Sequence, residues 1–150
     1  MTDCGCHHHT TCKTTAMQKA EAYCAAHNLR LTDTRREVLG IIWQSHKALT
    51  ANDIMAALGN SQPPITYRAL QFLQENGLIH HIASINAYIG CPHIGETHTG
   101  QMIICKHCRT VTEINTPLPQ LQKDASRNGF HVEDTHIEIL GTCKHCQQRA

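Results

Sequence analysis

An α+β fold in two small units, helices first and a sheet second, is what this sequence predicts, and three observations predict it. The phrase Cys105-Lys106-His107-Cys108 returns letter for letter as Cys143-Lys144-His145-Cys146. Helical periodicity dominates the first half of the chain, whereas short alternating runs surround the first copy of the phrase. At 150 residues there is room for one medium domain or two small ones, and small cores need a staple. The repeated phrase supplies one. A Cys-x-x-Cys turn points two sulfurs at one centre, and two such turns furnish the four thiolates of a tetrahedral zinc site. A disulfide and a redox Cys-x-x-Cys compete with that reading, but duplication accounts for all four thiols together and redox chemistry needs only one pair.

Composition narrows the class. Nine cysteines and thirteen histidines stand beside only six aromatic residues, so soft and borderline metal ligands are the dominant chemistry. Thirteen basic against twelve acidic residues leave a formal charge of +1, so any nucleic-acid surface must be a local patch. The odd cysteine count, with no basic segment leading into an apolar one at the start, argues against a secreted disulfide scaffold. No apolar run approaches the roughly 18 residues of a membrane helix. The expectation is a soluble cytoplasmic protein with no membrane partner.

Residues 1–15 carry Cys4, Cys6, His7, His8, His9 and Cys12 among Thr, Gly, Asp and Lys, and read as a flexible Cys/His-rich tail with accessory ligands. From Ala16, residues Met17, Ala20, Tyr23, Cys24 and His27 recur at helical steps, with Cys24 as a buried small hydrophobe. Thr32 or Asp33 caps a second helix with inner face Val38, Leu39, Ile41, Ile42 and Trp43. Thr50 caps a third, closed by Gly59. Pro63 and Pro64 open a fourth, which Gly77 follows. At 100° per residue Ile65, Ala69, Leu70, Phe72 and Leu73 gather on its inner side, and Tyr67, Arg68, Gln71, Gln74 and Glu75 on its wet side.

That wet face has what a DNA reader needs: a ring for thymine methyls, a guanidinium for phosphate or guanine, an amide for adenine. Two strands follow, Leu78 to Ala83 and Asn86 to Gly90. The whole is a winged helix-turn-helix over residues 16–83, with the fourth helix in the recognition position.

Residues 84–100 form the wing end and a hinge. His80, His81, Cys91, His93, Glu96 and His98 fall within nineteen residues, and Glu113 follows the first Cys-x-x-Cys. Mixed ligands on a loop between two domains suggest a second metal site, assembled when the hinge closes. In residues 101–150, Gln101 to Ile104 and Thr110 to Ile114 read as a hairpin, Pro117 opens a helix, and Phe130 to Leu140 reads as a further strand. His136-Ile137-Glu138 ahead of the last Cys-x-x-Cys echoes a zinc deaminase signature, but the interval is too short and the setting is a strand. No catalytic triad or phosphate loop is present. The expectation is no enzyme and no small-molecule substrate.

Leu29-Arg30-Leu31-Thr32, Arg35-Arg36-Glu37-Val38-Leu39, Thr66-Tyr67-Arg68-Ala69-Leu70, Gly77-Leu78-Ile79-His80 and the two Cys-x-x-Cys turns together resemble the ferric uptake regulator (Fur) family of bacterial metal-responsive repressors, from about Met17 to Cys146. The resemblance implies a winged-helix DNA-binding domain, a hinge and an α/β dimerisation domain. It also implies a homodimer that binds a palindromic operator in double-stranded DNA when metal-loaded. Its zinc uptake regulator branch is similar in the sensing set, which maps onto His80, Cys91, His98 and Glu113, with His93 a rival to His98. Structural zinc on Cys105, Cys108, Cys143 and Cys146 then makes two zinc ions per protomer. DNA contacts fall on Tyr67, Arg68 and Gln71, with Arg35 and Arg36 on the backbone.

The donor set agrees: thiolate, two imidazoles and a carboxylate suit zinc, whereas an iron site prefers more N and O donors. Departures from the family are Asp33-Thr34 in place of Pro-Gln, and Ala56 and Gly59 where relatives carry a pair of charges joining neighbouring dimers. An iron or peroxide sensor on the same scaffold, or a zinc storage protein that binds no DNA, are the alternatives.

Overall fold

A computed structural model describes residues 9–59, 62–96 and 98–149, with side chains from Cys12 onward. The element order is α1 (His9–Ala26), α2 (Asp33–Gln44), α3 (Ala51–Leu58), α4 (Pro63–Glu75), β1 (Ile79–Ile82), β2 (Ala87–Gly90), β3 (Gly100–Cys105), β4 (Val111–Ile114), α5 (Pro119–Arg127), β5 (His136–Gly141) and α6 (Lys144–Gln147). Helices fill the first half and strands the second, as the pattern predicts.

Several helix ends in the first half carry a local chemical signal. Thr32 caps α2 by accepting from the Arg35 amide. Thr50 and Asp53 form a reciprocal capping box at α3, and Gly59 closes that helix with φ 79°. At the end of α4, Leu78 N–H donates to Leu73 O at 2.9 Å and Gly77 N–H to Gln74 O at 3.0 Å. Gly77 supplies the φ of 68° that this turn needs, which aims the chain straight into β1. Val38, Leu39 and Ile42 of α2, Ile54 of α3, and Ala69, Leu70 and Leu73 of α4 bury against Ala20 and Cys24 of α1. Gly90 lets the wing lie on α2, since a Cβ there would meet the Trp43 ring at 2.4 Å.

Several boundaries differ from the sequence reading. The first helix reaches back to His9, because no Gly or Pro interrupts the Thr- and Ala-rich stretch and Ala16, Ala20 and Cys24 keep one buried line. Residues 9–15 are therefore helical, not a loose tail; the readings of Cys4, Cys6, His7 and His8 lie outside the described residues. α4 ends at Glu75, with Asn76 as its cap. Ile65 stands on the outer side of α4, 44% exposed, while Thr66 is fully buried with its hydroxyl unpartnered. α5 starts at Pro119, since Leu118 precedes a proline and is kept out of helical geometry. β5 starts at His136 because its partner β3 starts opposite it, at Gly100. Residues 130–135 have no strand to pair with.

β1 and β2 form an antiparallel ribbon joined by a 3-10 turn, Ala83–Ile85. β3 is the central strand of a second sheet, antiparallel to β4 and parallel to β5, which α5 connects. A second core is shared between the units. Ala48, Ile82 and Ala87 from the helical half pack with Met102, Ile104 and Val111 from the sheet. The segment ahead of α3 lies between them, bridging Leu49 to Tyr88 on the wing and Lys47 to Thr110 on the sheet.

Candidate metal centre

Two clusters of metal-ligating side chains form among the described residues. In the first, the four sulfurs of Cys105, Cys108, Cys143 and Cys146 lie within 4.8 Å of one another. Cys105 ends β3, Cys143 caps α6, and parallel pairing of β3 with β5 carries the two Cys-x-x-Cys turns to the same end of the sheet. Cys108 Sγ and Cys143 Sγ are 3.7 Å apart. A zinc–sulfur bond near 2.3 Å sets a tetrahedral edge of about 3.8 Å, so this spacing fits. Amide groups of Cys143, Cys108 and His107 pull the Cys105 thiol down to about 5, and the Thr110 hydroxyl 3.1 Å away lowers Cys108. Burial and the neighbouring cysteines push Cys146 the other way, up to about 12, so filling the site with metal requires that thiol to release its proton.

The second cluster takes one donor from each of several segments. His80 comes from β1, Cys91 follows β2, and His98 lies just before β3. Their donor atoms are likewise within 4.8 Å, with His98 Nε2 3.4 Å from Cys91 Sγ and 3.3 Å from His80 Nε2. Glu113 of β4 adds a carboxylate oxygen 3.2 Å from His98 Nε2 and 3.7 Å from His80 Nε2. Metal–ligand bonds of roughly 2.0–2.3 Å give tetrahedral edges of about 3.3–3.8 Å, close to the 3.2–3.7 Å of these contacts, although Glu113 stands outside the three-donor group that lies within 4.8 Å. His98 Nδ1 sits 2.9 Å from the Glu96 carbonyl, which requires the proton on Nδ1 and leaves the Nε2 lone pair facing the cluster. His93 faces Glu96 instead, at 3.2 Å, and is no part of the three-donor group.

Burial sets the charge of this second cluster. Desolvation pulls His80 down to about 4, pushes Cys91 up to about 12, and raises Glu113. Without metal, the imidazole and thiol are held neutral at pH 7, so occupancy requires the thiol to release its proton. A compact N/S/O set with little charge of its own is chemistry that fits zinc.

The wet face of α4 is as expected in part. Tyr67 is 50% exposed, and Arg68 and Gln71 are exposed. Gln71 Nε2 donates to Glu75 Oε1 at 2.7 Å. Both early arginines are engaged within the chain. Arg35 lies 3.5 Å over the Phe72 ring and donates to the Arg30 carbonyl, and Arg36 pairs with Glu21 at 2.9 Å and Asp33 at 3.1 Å. Sequence reasoning missed the Glu96 carbonyl behind His98 and the Thr110 hydroxyl beside Cys108. Neither residue type signals such a role, and both act through the fold.

The chain is 35% identical over 144 residues to the zinc uptake regulation protein of Escherichia coli strain K12, covering 89% of this chain and 84% of that one. Its structure is similar to a zinc uptake regulator complexed with zinc and DNA, with TM-score 0.83 and 33% identity over 91% of this chain and 96% of the other. Against holo XcZur the TM-score is 0.81 at 30% identity, covering 89% and 98%. Against apo XcZur it falls to 0.54 at 29% identity, covering 91% and 99%. The overall structure is therefore more similar to the zinc and DNA complex and to the holo form than to the apo form. With residues 26–140 also matching the model of the ferric uptake regulator family, the chain belongs to that family of regulators.

Proposed function

We propose that this protein is a cytoplasmic, zinc-responsive transcriptional repressor that binds a palindromic operator as a homodimer. Residues 16–83 bind DNA, residues 84–100 are the hinge, and residues 101–150 dimerise and bind metal. Cys105, Cys108, Cys143 and Cys146 hold a structural zinc, and His80, Cys91, His98 and Glu113 hold a regulatory one, two per protomer. Bound there, zinc supplies a Lewis-acidic centre that ties four side chains together and turns over no substrate.

One observation carries this reading: donors on β1, after β2 and before β3 lie within 4.8 Å of one another, and the Glu113 carboxylate on β4 stands 3.2 and 3.7 Å from the two imidazoles, across the junction of the two units. Only the closed arrangement presents all four together, so it is the arrangement that metal selects. Linkage then requires zinc and DNA to strengthen each other's binding, typically by about 1–3 kcal/mol. Tyr67, Arg68 and Gln71 on α4 meet the major groove, with Arg35 and Arg36 exchanging their internal partners for phosphates. The exposed apolar residues Ile103, Leu121, Phe130, Val132, Ile139 and Leu140 on the sheet unit supply a surface for the second copy.

The test is operator binding by fluorescence anisotropy across a zinc-buffered series, with wild type beside Cys91→Ala. The operator is selected from a random duplex library with the full-length protein. Zinc-dependent binding is expected for the wild type, and Cys91→Ala is expected to lose the response while keeping its structural zinc. A variant that responds like wild type would sink the regulatory-site assignment.

A further inference from the structure

Two residues outside both metal clusters also make polar contacts across the junction between the units. Arg109, which follows Cys108 directly, sends its guanidinium to Asp53 of the α3 capping box at 2.9 Å. Its carbonyl accepts from the Ala48 amide at 3.1 Å. Arg109 also has φ 59°, a left-handed backbone that an L-residue with a side chain adopts only at a cost. Glycine would hold that turn without strain, so the arginine offsets its backbone cost through what its side chain touches.

On the opposite flank, Glu138 of β5 reaches the 3-10 turn at the tip of the wing. Its two oxygens accept from the amides of Ala83 at 2.7 Å and Ser84 at 2.9 Å. Partial burial works against its charge, but the bonds from Ser84 and Ala83, with His81 nearby, outweigh it and lower its pKa, so the carboxylate is charged. A charged acceptor on two backbone donors is stronger than a neutral pair.

We propose that Arg109 and Glu138 are positioning residues, two clasps that hold the winged helix on the sheet in the DNA-competent arrangement. The inference rests on the repressor reading and goes beyond it: the zinc ligands are not the only groups that favour closure. Arg109 ties the structural zinc turn to the capping box of α3. Glu138 ties the sheet edge to the wing. Both flank the shared core of Ala48, Ile82, Ala87, Met102, Ile104 and Val111, which lets the units rock about that contact if either clasp opens.

The experiment uses the full-length, zinc-loaded protein and the variants Arg109→Gly, Arg109→Lys, Glu138→Gln and the double variant Arg109→Gly/Glu138→Gln. Three quantities are read: thermal stability with tightly held zinc per chain, zinc affinity of the regulatory site by competition with a chromophoric chelator, and operator affinity at saturating zinc. Arg109→Gly is expected to keep its structural zinc and its melting temperature, since glycine suits the backbone. Its operator affinity is expected to fall about 3- to 5-fold, the scale of a half-exposed ion pair. Arg109→Lys should recover part of that loss. Glu138→Gln is expected to lose about 5- to 10-fold, the difference between a charge-assisted and a neutral acceptor, and the double variant the product of the two. Regulatory zinc affinity should fall in the same order.

Wild-type operator and zinc affinities in Arg109→Gly and Glu138→Gln would overturn the proposal. So would a loss that tracks only a fall in melting temperature, because that marks a general structural role. The zinc titration needs no DNA, so it decides on the clasps even if the wild type binds no operator and the repressor reading fails.

Discussion

Ile65 shows how a single residue can be misread from periodicity alone. At 100° per residue it falls on the apolar side of α4, yet Thr66, Ala69, Leu70 and Leu73 define the buried arc and leave Ile65 44% exposed at its edge. It lies in the first turns of the helix, the part of a recognition helix that meets base edges. An isoleucine offers a base edge no hydrogen bond, only contact with a thymine C5-methyl. Replacing the contacted thymine by deoxyuridine, which removes that methyl alone, should weaken wild-type binding roughly fourfold, given about 0.8 kcal/mol per buried methyl group. Ile65→Ala should be indifferent to the same change; anisotropy on a set of single-substituted operators measures both. The candidate ligands were easier to read than this face. His80, Cys91, His98 and Glu113 advertise their chemistry in their residue types, and their crowding near a hinge is visible in the chain. Arg35 and Arg36 were legible only as cations, because Phe72 and Glu21, which engage them, approach through the fold.

At the level of elements, the starts and stops with their own side-chain chemistry were legible. Thr32, Thr50, Gly59 and Gly77 act where the sequence placed them. The boundaries that moved depend on a partner: β5 begins where β3 begins, and no residue between Phe130 and Thr135 announces that. Asp53 joins the two kinds of information, serving its own helix as a cap and Arg109 as a counter-ion. Bonds from the Thr50 amide and hydroxyl, with Arg109 adding to them, hold its carboxyl below the usual carboxylate range. A depressed folded-state pKa contributes stability that is complete above the ordinary value near 3.9 and fades as pH falls through the lower one. Asp53→Asn should therefore unfold more readily than wild type at pH 7, with the gap closing below about pH 4. Urea titrations at pH 7, 5 and 3 follow the gap directly. An undiminished gap at pH 3 would show that the charge of Asp53 contributes nothing.

For the whole molecule, the composition pointed to metals and the motifs to two units, but not to how the units touch. The core that joins them is built from small contributions of five segments, Ala48, Ile82, Ala87, Met102 with Ile104, and Val111, too scattered to form a pattern in sequence. The sheet's far side is different. α5 buries none of its residues, and Leu121, Ile139 and Phe130 remain exposed, up to 70% for Phe130. A helix with an uncovered apolar stripe needs a cover, and a second copy is the proposed one. Leu121→Asp with Ile139→Asp should convert the dimer to monomer in sedimentation experiments while the four-cysteine site keeps its metal. Wild type sedimenting as a monomer at micromolar concentration would remove the dimer from the reading.

β3 has a consequence that reaches beyond packing. His98 stands two residues before its first residue and Cys105 is its last, so one strand separates the proposed regulatory ligand from the structural cluster. Side chains along a strand change face at every residue, and a shift by one would send Cys105 to the wrong side of the sheet relative to His98. The stretch between them can therefore lengthen or shorten only by pairs of residues. The two proposed metal sites are tied by a parity rule, odd changes breaking one site to keep the other.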